Sequence, residues 1–427
     1  MLHGIDPKDH GPHGQEMADA VSTCVHCGFC LAACPTYQQM GQEVDSPRGR
    51  IVLMKEVLEG TMSVEDALPH VDACLGCLAC EPACPSGVPY RDLISPFRAE
   101  AESVRKRSIW ERFQRMLTQQ TLPYPERFRV AARTGRLAKI FSGWLPASLR
   151  VMLDLLPDRL PERQTWKGFY SASERTGQPA RAKVALLTGC AQSVLDPDIN
   201  TATIQVLNHC GVDVVVPSEQ ACCGALSWHV GNLRQAQSFA RKNLAAFPSD
   251  VDAIVTNAAG CGSGMDEYPL ILKGTAEEKQ AKSFSELVCD VSVFLNRLGD
   301  LPVVADSGTS RVIAYHDACH LANAQGVRSE PRKLLSMIPG VKVAEIVDAH
   351  LCCGSAGTYN VDQPEVAHQL GQQKAKRLLD ANPDLIATGN IGCMTQLKNH
   401  LTEQSSEVPV LHTLQVLRDA YLRASRT

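Results

Sequence analysis

The sequence predicts an α+β multidomain chain: a mainly helical, cysteine-rich N-terminal domain, a basic helical connector, and a duplicated C-terminal α/β domain built on parallel strands. Three observations carry this. Two cysteine runs of identical spacing lie within residues 15–100. Between 105 and 183, 17 Lys/Arg stand against 6 Asp/Glu. Beyond 183, short apolar runs alternate with helical stretches, and the pattern occurs twice. The expected division is 15–100, 101–182, 183–305 and 306–427, and 427 residues are enough for several cores.

The first element is defined by Cys24-x2-Cys27-x2-Cys30-x3-Cys34-Pro35 and Cys74-x2-Cys77-x2-Cys80-x3-Cys84-Pro85. This spacing is the bacterial ferredoxin pattern for [4Fe-4S] clusters, in which the fourth cysteine of each run serves the other cluster. Cys24, Cys27, Cys30 and Cys84 then form one set, and Cys74, Cys77, Cys80 and Cys34 the other. Zinc or disulfides are the alternatives, but zinc sites usually show two separated CxxC pairs. Between the runs, SPRGRIVLMKEVLEG (Ser46–Gly60) places Ile51, Met54, Val57 and Leu58 at helical spacing behind a Ser-Pro start, so the domain reads as helical.

Composition narrows the function classes. A net charge of −4 favours neither nucleic-acid binding nor an acidic tail. No apolar run is long enough to span a membrane. The N-terminus (MLHGIDPKDHGPHG) lacks the apolar core of a secretion signal, and its three histidines read as part of a solvated tail. Eighteen cysteines in such a chain suggest reduced thiols for metal, in a cytoplasmic setting.

The connector holds Trp110, Trp144 and Trp166, and SGWLPASLRVMLDLLPDRLP reads as a short amphipathic helix between Pro146 and Pro157. Either it packs on its own domains, or its basic and aromatic residues, beginning at Arg105, Lys106 and Arg107, form a docking surface for a partner or an anionic membrane.

KVALLTG, VDVVVPS, VDAIVTNAAG, RVIAYHDA, VAEIVD and LIATGN read as parallel strands, with helices between them such as Asn232–Phe247 and Pro364–Leu379. The first copy carries Cys190, Cys222-Cys223-Gly224 and Cys261; the second carries Cys319, Cys352-Cys353-Gly354 and Cys393, at offsets of 129, 130 and 132 residues. Each cysteine follows the C-terminal end of an expected strand, where ligands collect in parallel sheets. Four thiols per copy are thus candidate ligands for further clusters, with Gly224 and Gly354 relieving crowding beside them. Buried structural or redox-active thiols are the alternative.

On CVHCGFCLAACPTY, DSPRGRIVLMKEVLEG, CEPACPSGVPY and the two CCG copies, the chain resembles the glycolate oxidase iron–sulfur subunits, and more broadly the CCG-containing subunits of glycerol-3-phosphate and D-lactate dehydrogenases and of heterodisulfide reductases. The resemblance implies an FAD-containing partner, a second flavin-type subunit, a membrane quinone-type acceptor, and peripheral association with the inner membrane. A catalytic CCG role, as in the heterodisulfide reductases, is the alternative reading, and it is weakened at Gly264 and Gln396, where those proteins carry a fifth cysteine ligand and this chain offers only four thiolates per copy. His316 and His320 flank Cys319 in the second copy alone, as candidate ligands or proton donors, with a surface or capping role the alternative. No dinucleotide-binding glycine motif is present; Gly260-Cys261-Gly262-Ser263-Gly264 has Met265 where the third glycine should fall. Flavin and nicotinamide are therefore expected elsewhere, and no catalytic residue for the hydroxy acid is expected on this chain.

Overall fold

A computed structural model describes residues 1–139, 147–157, 159–306 and 308–424. Trp144 and Pro146 lie outside the described residues.

Polar caps and prolines set the N-terminal helices. They are α1 (Gly14–Thr23), α2 (Phe29–Ala33), α3 (Pro35–Met40), α4 (Pro47–Leu58), α5 (Val64–Asp72) and α6 (Arg91–Val104). The proline after Cys34 opens α3, where a missing N–H costs nothing. Ser46 caps α4 by accepting from the Gly49 N–H at 2.9 Å. The expected periodicity holds: Ile51, Met54 and Leu58 are buried with Met17, Val21, Leu68, Leu93 and Phe97 in one core, and Val57 packs against it.

The N-terminal stretch is not a solvated tail. His10 bonds Glu100 and the Leu58 carbonyl at 2.8 and 2.9 Å, and buried His13 bonds the Leu270 carbonyl at 2.7 Å. Each ring thereby finds a partner on a distant element, which local sequence does not reveal.

The connector supplies α7 (Ile109–Thr121), opened by a Ser108/Glu111 capping box, α8 (Pro125–Ala138) and α9 (Ala147–Asp154). Much of its charge faces its own chain. Arg105 pairs with Asp72 and Arg107 with Glu102, both at 2.5 Å, and buried Arg129 donates to the Pro161 carbonyl. Ile109, Trp110, Phe113 and Met116 of α7 stay exposed.

The first sheet runs β1 (Phe169–Tyr170), β3 (Val212–Val215), β2 (Ala182–Leu187), β4 (Ala253–Thr256), β5 (Val288–Asp290) in spatial order, parallel except for β1 at its edge. The second runs β7 (Val341–Ala344), β6 (Arg311–His316), β8 (Leu385–Thr388), β9 (Val410–His412), all parallel. β7 begins before the expected VAEIVD and ends at Ala344; Asp348, at φ 51°, lies in the turn beyond it. The copies share a core. The C-terminal helix Thr413–Ala424 puts Leu414, Leu417 and Tyr421 onto Val184, Leu186, Val206 and Val214 of the first copy.

Candidate iron–sulfur centres

The two cysteine runs fold into loops with the same backbone twist. His26 and Gly28 in the first, and Gly76 and Leu78 in the second, all have left-handed φ values of 58°, 84°, 63° and 57°. His26 and Leu78 pay a steric penalty there, the kind of strain that clusters at functional sites. Such turns point successive N–H groups inward, as in anion-binding nests; the Gly76 N–H lies 3.4 Å from Cys74 Sγ.

The loops line two hollows. One, about 420 Å³ with its mouth included, is bounded by Cys24, Cys27, Cys30 and Cys84, with Cys80 at its wall. The other, about 300 Å³, gathers Cys34, Cys74, Cys77 and Cys80. The fourth cysteine of each run therefore lies with the first three of the other. Cys27 is exposed between exposed Val25 and Phe29, while Cys34 and Cys77 are buried.

Around the second hollow the sequence reading missed several groups. Arg50 is fully buried on α4; its guanidinium donates to Thr36 Oγ1 at 2.9 Å, lies 3.9 Å from Cys34 Sγ and pairs with Asp45 at 3.5 Å. Its position in the apolar 47/50/51/54/58 stripe was the available signal. Tyr90 directs its hydroxyl at Cys74 Sγ, 3.8 Å away. Burial works against the Cys74 thiolate, yet Arg50, Arg98 and the two hydrogen bonds outweigh it and draw the thiol below its ordinary value. Cys77 and Cys80 are pushed well up, by burial first and neighbouring thiols second. Such thiols lose their protons to a metal rather than to water, so the donor set suits a cationic cluster core.

Each CCG copy closes a crevice at the ends of its strands. In the first, Cys190 and Cys222 stand Sγ to Sγ at 3.5 Å, with Cys223 interacting with Cys261. In the second, Cys319 meets Cys352, and Cys353 meets Cys393, whose sulfur accepts from Asn390 Nδ2 at 3.2 Å. All eighteen cysteines are free. Neighbouring thiols, then burial, push Cys222, Cys261 and Cys319 well up. Gly224 and Gly354 take φ 84° and 82°, but what crowds them is a helix one element further on, Leu233–Ala246 and Pro364–Leu379: an added Cβ would lie 3.3 Å from the Ala236 carbonyl and 2.4 Å from that of Ala367.

The second crevice abuts the second hollow. Leu75, Cys77 and Ala79 pack in one cluster with Cys352, Tyr359 and Cys319. Asn323 donates to the Cys77 carbonyl at 3.1 Å and Tyr359 to that of Ala73 at 3.2 Å. The core around the first crevice contains none of the eight run cysteines among its described residues. The two flanking histidines separate. His316 enters the second crevice beside Cys353 and Cys393, whereas His320 turns to Ser263 Oγ at 2.9 Å and its ring lies tilted against that of His229, 5.1 Å between centroids.

Residues 20–88 match the family model of the 4Fe-4S dicluster domain, and residues 184–266 and 313–398 that of the cysteine-rich CCG domain. The chain is 38% identical to the probable glycolate oxidase iron–sulfur subunit of Bacillus subtilis, covering 93% of each chain. It is 37% identical to the glycolate oxidase iron–sulfur subunit of Escherichia coli, over 94% of this chain and 95% of that one. The chain belongs to the glycolate oxidase iron–sulfur subunit family. A more distant likeness, 28% over 93% of this chain and 72% of the relative, is to a subunit of the fumarate reductase (CoM/CoB) of Methanothermobacter marburgensis. These matches support iron–sulfur clusters and an electron-transfer role within an oxidoreductase.

Proposed function

We propose that this chain is the electron-carrying subunit of a glycolate (2-hydroxy acid) dehydrogenase, with domains divided at 15–100, 101–182, 183–305 and 306–427. A partner FAD subunit oxidises the hydroxy acid, a second flavin-type subunit completes the complex, and a membrane quinone is the acceptor. Cys24, Cys27, Cys30 and Cys84 would hold one [4Fe-4S] cluster, and Cys34, Cys74, Cys77 and Cys80 another. Cys319, Cys352, Cys353 and Cys393 would hold a further cluster, and Cys190, Cys222, Cys223 and Cys261 offer a fourth donor set. Clusters so held supply one-electron transfer, whereas removing a hydride from the acid needs an organic cofactor, for which this sequence has no recognised motif.

The observation that carries this reading is the order of the donor sets. An exposed set with Cys27 at the surface adjoins a buried set, which packs directly on the second crevice. Val25 and Phe29 give a docking partner apolar area beside the exposed set. No helix among the described residues is long and apolar enough to cross a membrane, so we assign membrane association to the complex, peripherally and on the cytoplasmic side. Burial of Cys352, Cys353 and Cys393 disfavours a disulfide substrate reaching that crevice, as a catalytic CCG role would require.

Iron quantification with EPR on anaerobically purified protein tests the reading. About eight irons per chain mark the two dicluster sets, and about twelve or more add the crevices. A value near four, or glycolate oxidation by the isolated chain with an artificial acceptor, would overturn it.

A further inference from the structure

We infer that His316 is a metal ligand, an imidazole donor that joins Cys319, Cys352, Cys353 and Cys393 around the iron–sulfur cluster of the second crevice. This rests on the reading that the crevice holds a cluster, and it adds the residue that distinguishes the two copies.

The position is set by the strand. β6 ends at His316, three residues before Cys319. A ring nitrogen of His316 and the sulfurs of Cys353 and Cys393 all lie within 4.8 Å of one another. With metal–nitrogen and metal–sulfur bonds of about 2.0–2.3 Å, that span fits donors on one metal or on neighbouring metals of a cluster.

The ring is also unaccounted for without a metal. His316 is 1% exposed, and neither Nδ1 nor Nε2 has a hydrogen-bond partner among the described residues. A buried imidazole with both nitrogens unmatched bears the full desolvation cost with no return. Its neighbour across the sheet, Thr388, offers no relief, since its hydroxyl is unmatched too.

The duplication supplies an internal control. Leu187 ends β2 three residues before Cys190, in the place His316 takes before Cys319, and it is equally buried. An aliphatic side chain therefore fills that position, so packing does not require the imidazole. A second difference points the same way. On the helix that crowds each CCG glycine, Lys374 in the second copy replaces Asn243 of the first, counting from Ala367 and Ala236 opposite the two glycines. Asn243 donates to the Cys222 carbonyl, whereas buried Lys374 donates to the Ala349 carbonyl; burial lowers its ammonium pKa, against the pull of Asp317 first and of Cys353, Cys352 and Cys393 after it. The second crevice thus adds a neutral donor and a buried cation to four thiolates.

The test uses the full chain, purified anaerobically with its native iron, as wild type, His316→Leu, His316→Cys and Cys393→Ser. Pulsed EPR should find nitrogen coupling of a directly bonded imidazole on the signal that Cys393→Ser removes. His316→Leu should abolish that coupling while leaving the dicluster signals intact, which shows that the chain has folded. His316→Cys should retain the iron and lower the reduction potential of that signal, because a thiolate replaces a neutral donor. A Cys393-dependent signal that lacks nitrogen coupling and is unchanged in His316→Leu would overturn the assignment while leaving the cluster reading intact. If Cys393→Ser changes neither iron content nor any signal, the cluster reading fails and this inference with it. Zinc lost in Cys393→Ser, with iron unchanged, would equally overturn the cluster.

Discussion

The two cysteine runs of the N-terminal domain exchange a residue, while the two CCG repeats exchange none. Cys34 lies with the second run and Cys84 with the first, so neither donor set is complete without the other copy. Each CCG crevice draws its four cysteines from its own repeat. An exchanged pair must keep both partners alike; self-contained crevices are free to diverge. The second has done so, with His316 for Leu187 and Lys374 for Asn243, and it is the one that packs on a run cysteine, Cys77.

The largest effect should come from cutting the exchange. Cys84→Ser should damage the exposed set, which contains Cys24, Cys27 and Cys30, and leave the signal of the buried set unchanged. Cys34→Ser should do the reverse. Iron content and EPR of the two variants check this, and a loss confined to the mutated run's own set would mean that the sets are not crossed.

Arg50→Met comes next. It strips the guanidinium from buried Asp45 and from the side of Cys34, leaving a carboxylate with 1% exposed side chain to the half-buried His70 ring. Breaking a buried pair on one side costs about 3–5 kcal/mol. The denaturation midpoint of the dicluster domain should fall accordingly, and no change would show that Asp45 is satisfied by His70 alone.

The glycines compare the copies directly. Both need a left-handed φ, which costs an alanine about 1 kcal/mol. Gly354→Ala also drives a Cβ to 2.4 Å from backbone, against 3.3 Å for Gly224→Ala. Gly354→Ala should therefore destabilise by about 3 kcal/mol and Gly224→Ala by about 1 kcal/mol. Chemical denaturation of each variant measures the ranking, and equal losses would remove this difference between the crevices.

Much of this is legible in the sequence because ligand spacing and β-branched runs are local signals. The helical pattern of Pro364–Leu379 ends where the helix does, and that of Asn232–Phe247 agrees to within one residue. What escapes is short or remote. β5 and β9 are three residues each and β1 only two, too brief for a periodic pattern. His13 finds its partner 257 residues away. Lys374 sits in a run, QQKAKR, that reads as a solvated helix face until the crevice is seen beneath it.

The pH-dependent effect is the most discriminating between copies, because its sign inverts. Asp290 ends β5 and accepts from the Ser292 N–H; His412 ends β9 and accepts from the Leu414 N–H, so the two cap equivalent turns. Burial raises Asp290 from 3.8 to about 6, against the pull of Ser292. The folded form then holds a proton that the unfolded chain has released, so this contribution to stability is full below pH 3.8 and is lost as the pH rises to about 6. Burial lowers His412 from 6.5 to about 4. Here the unfolded chain takes up the proton first, and stability is full above pH 6.5 and lost as the pH falls toward about 4. Each swing is on the order of 3 kcal/mol. Asp290→Asn should flatten the loss on the rising side and His412→Asn the loss on the falling side, as read from urea midpoints between pH 4 and 7. If both variants flattened the same limb, the two turns would not be the opposed titrating caps that their burial makes them.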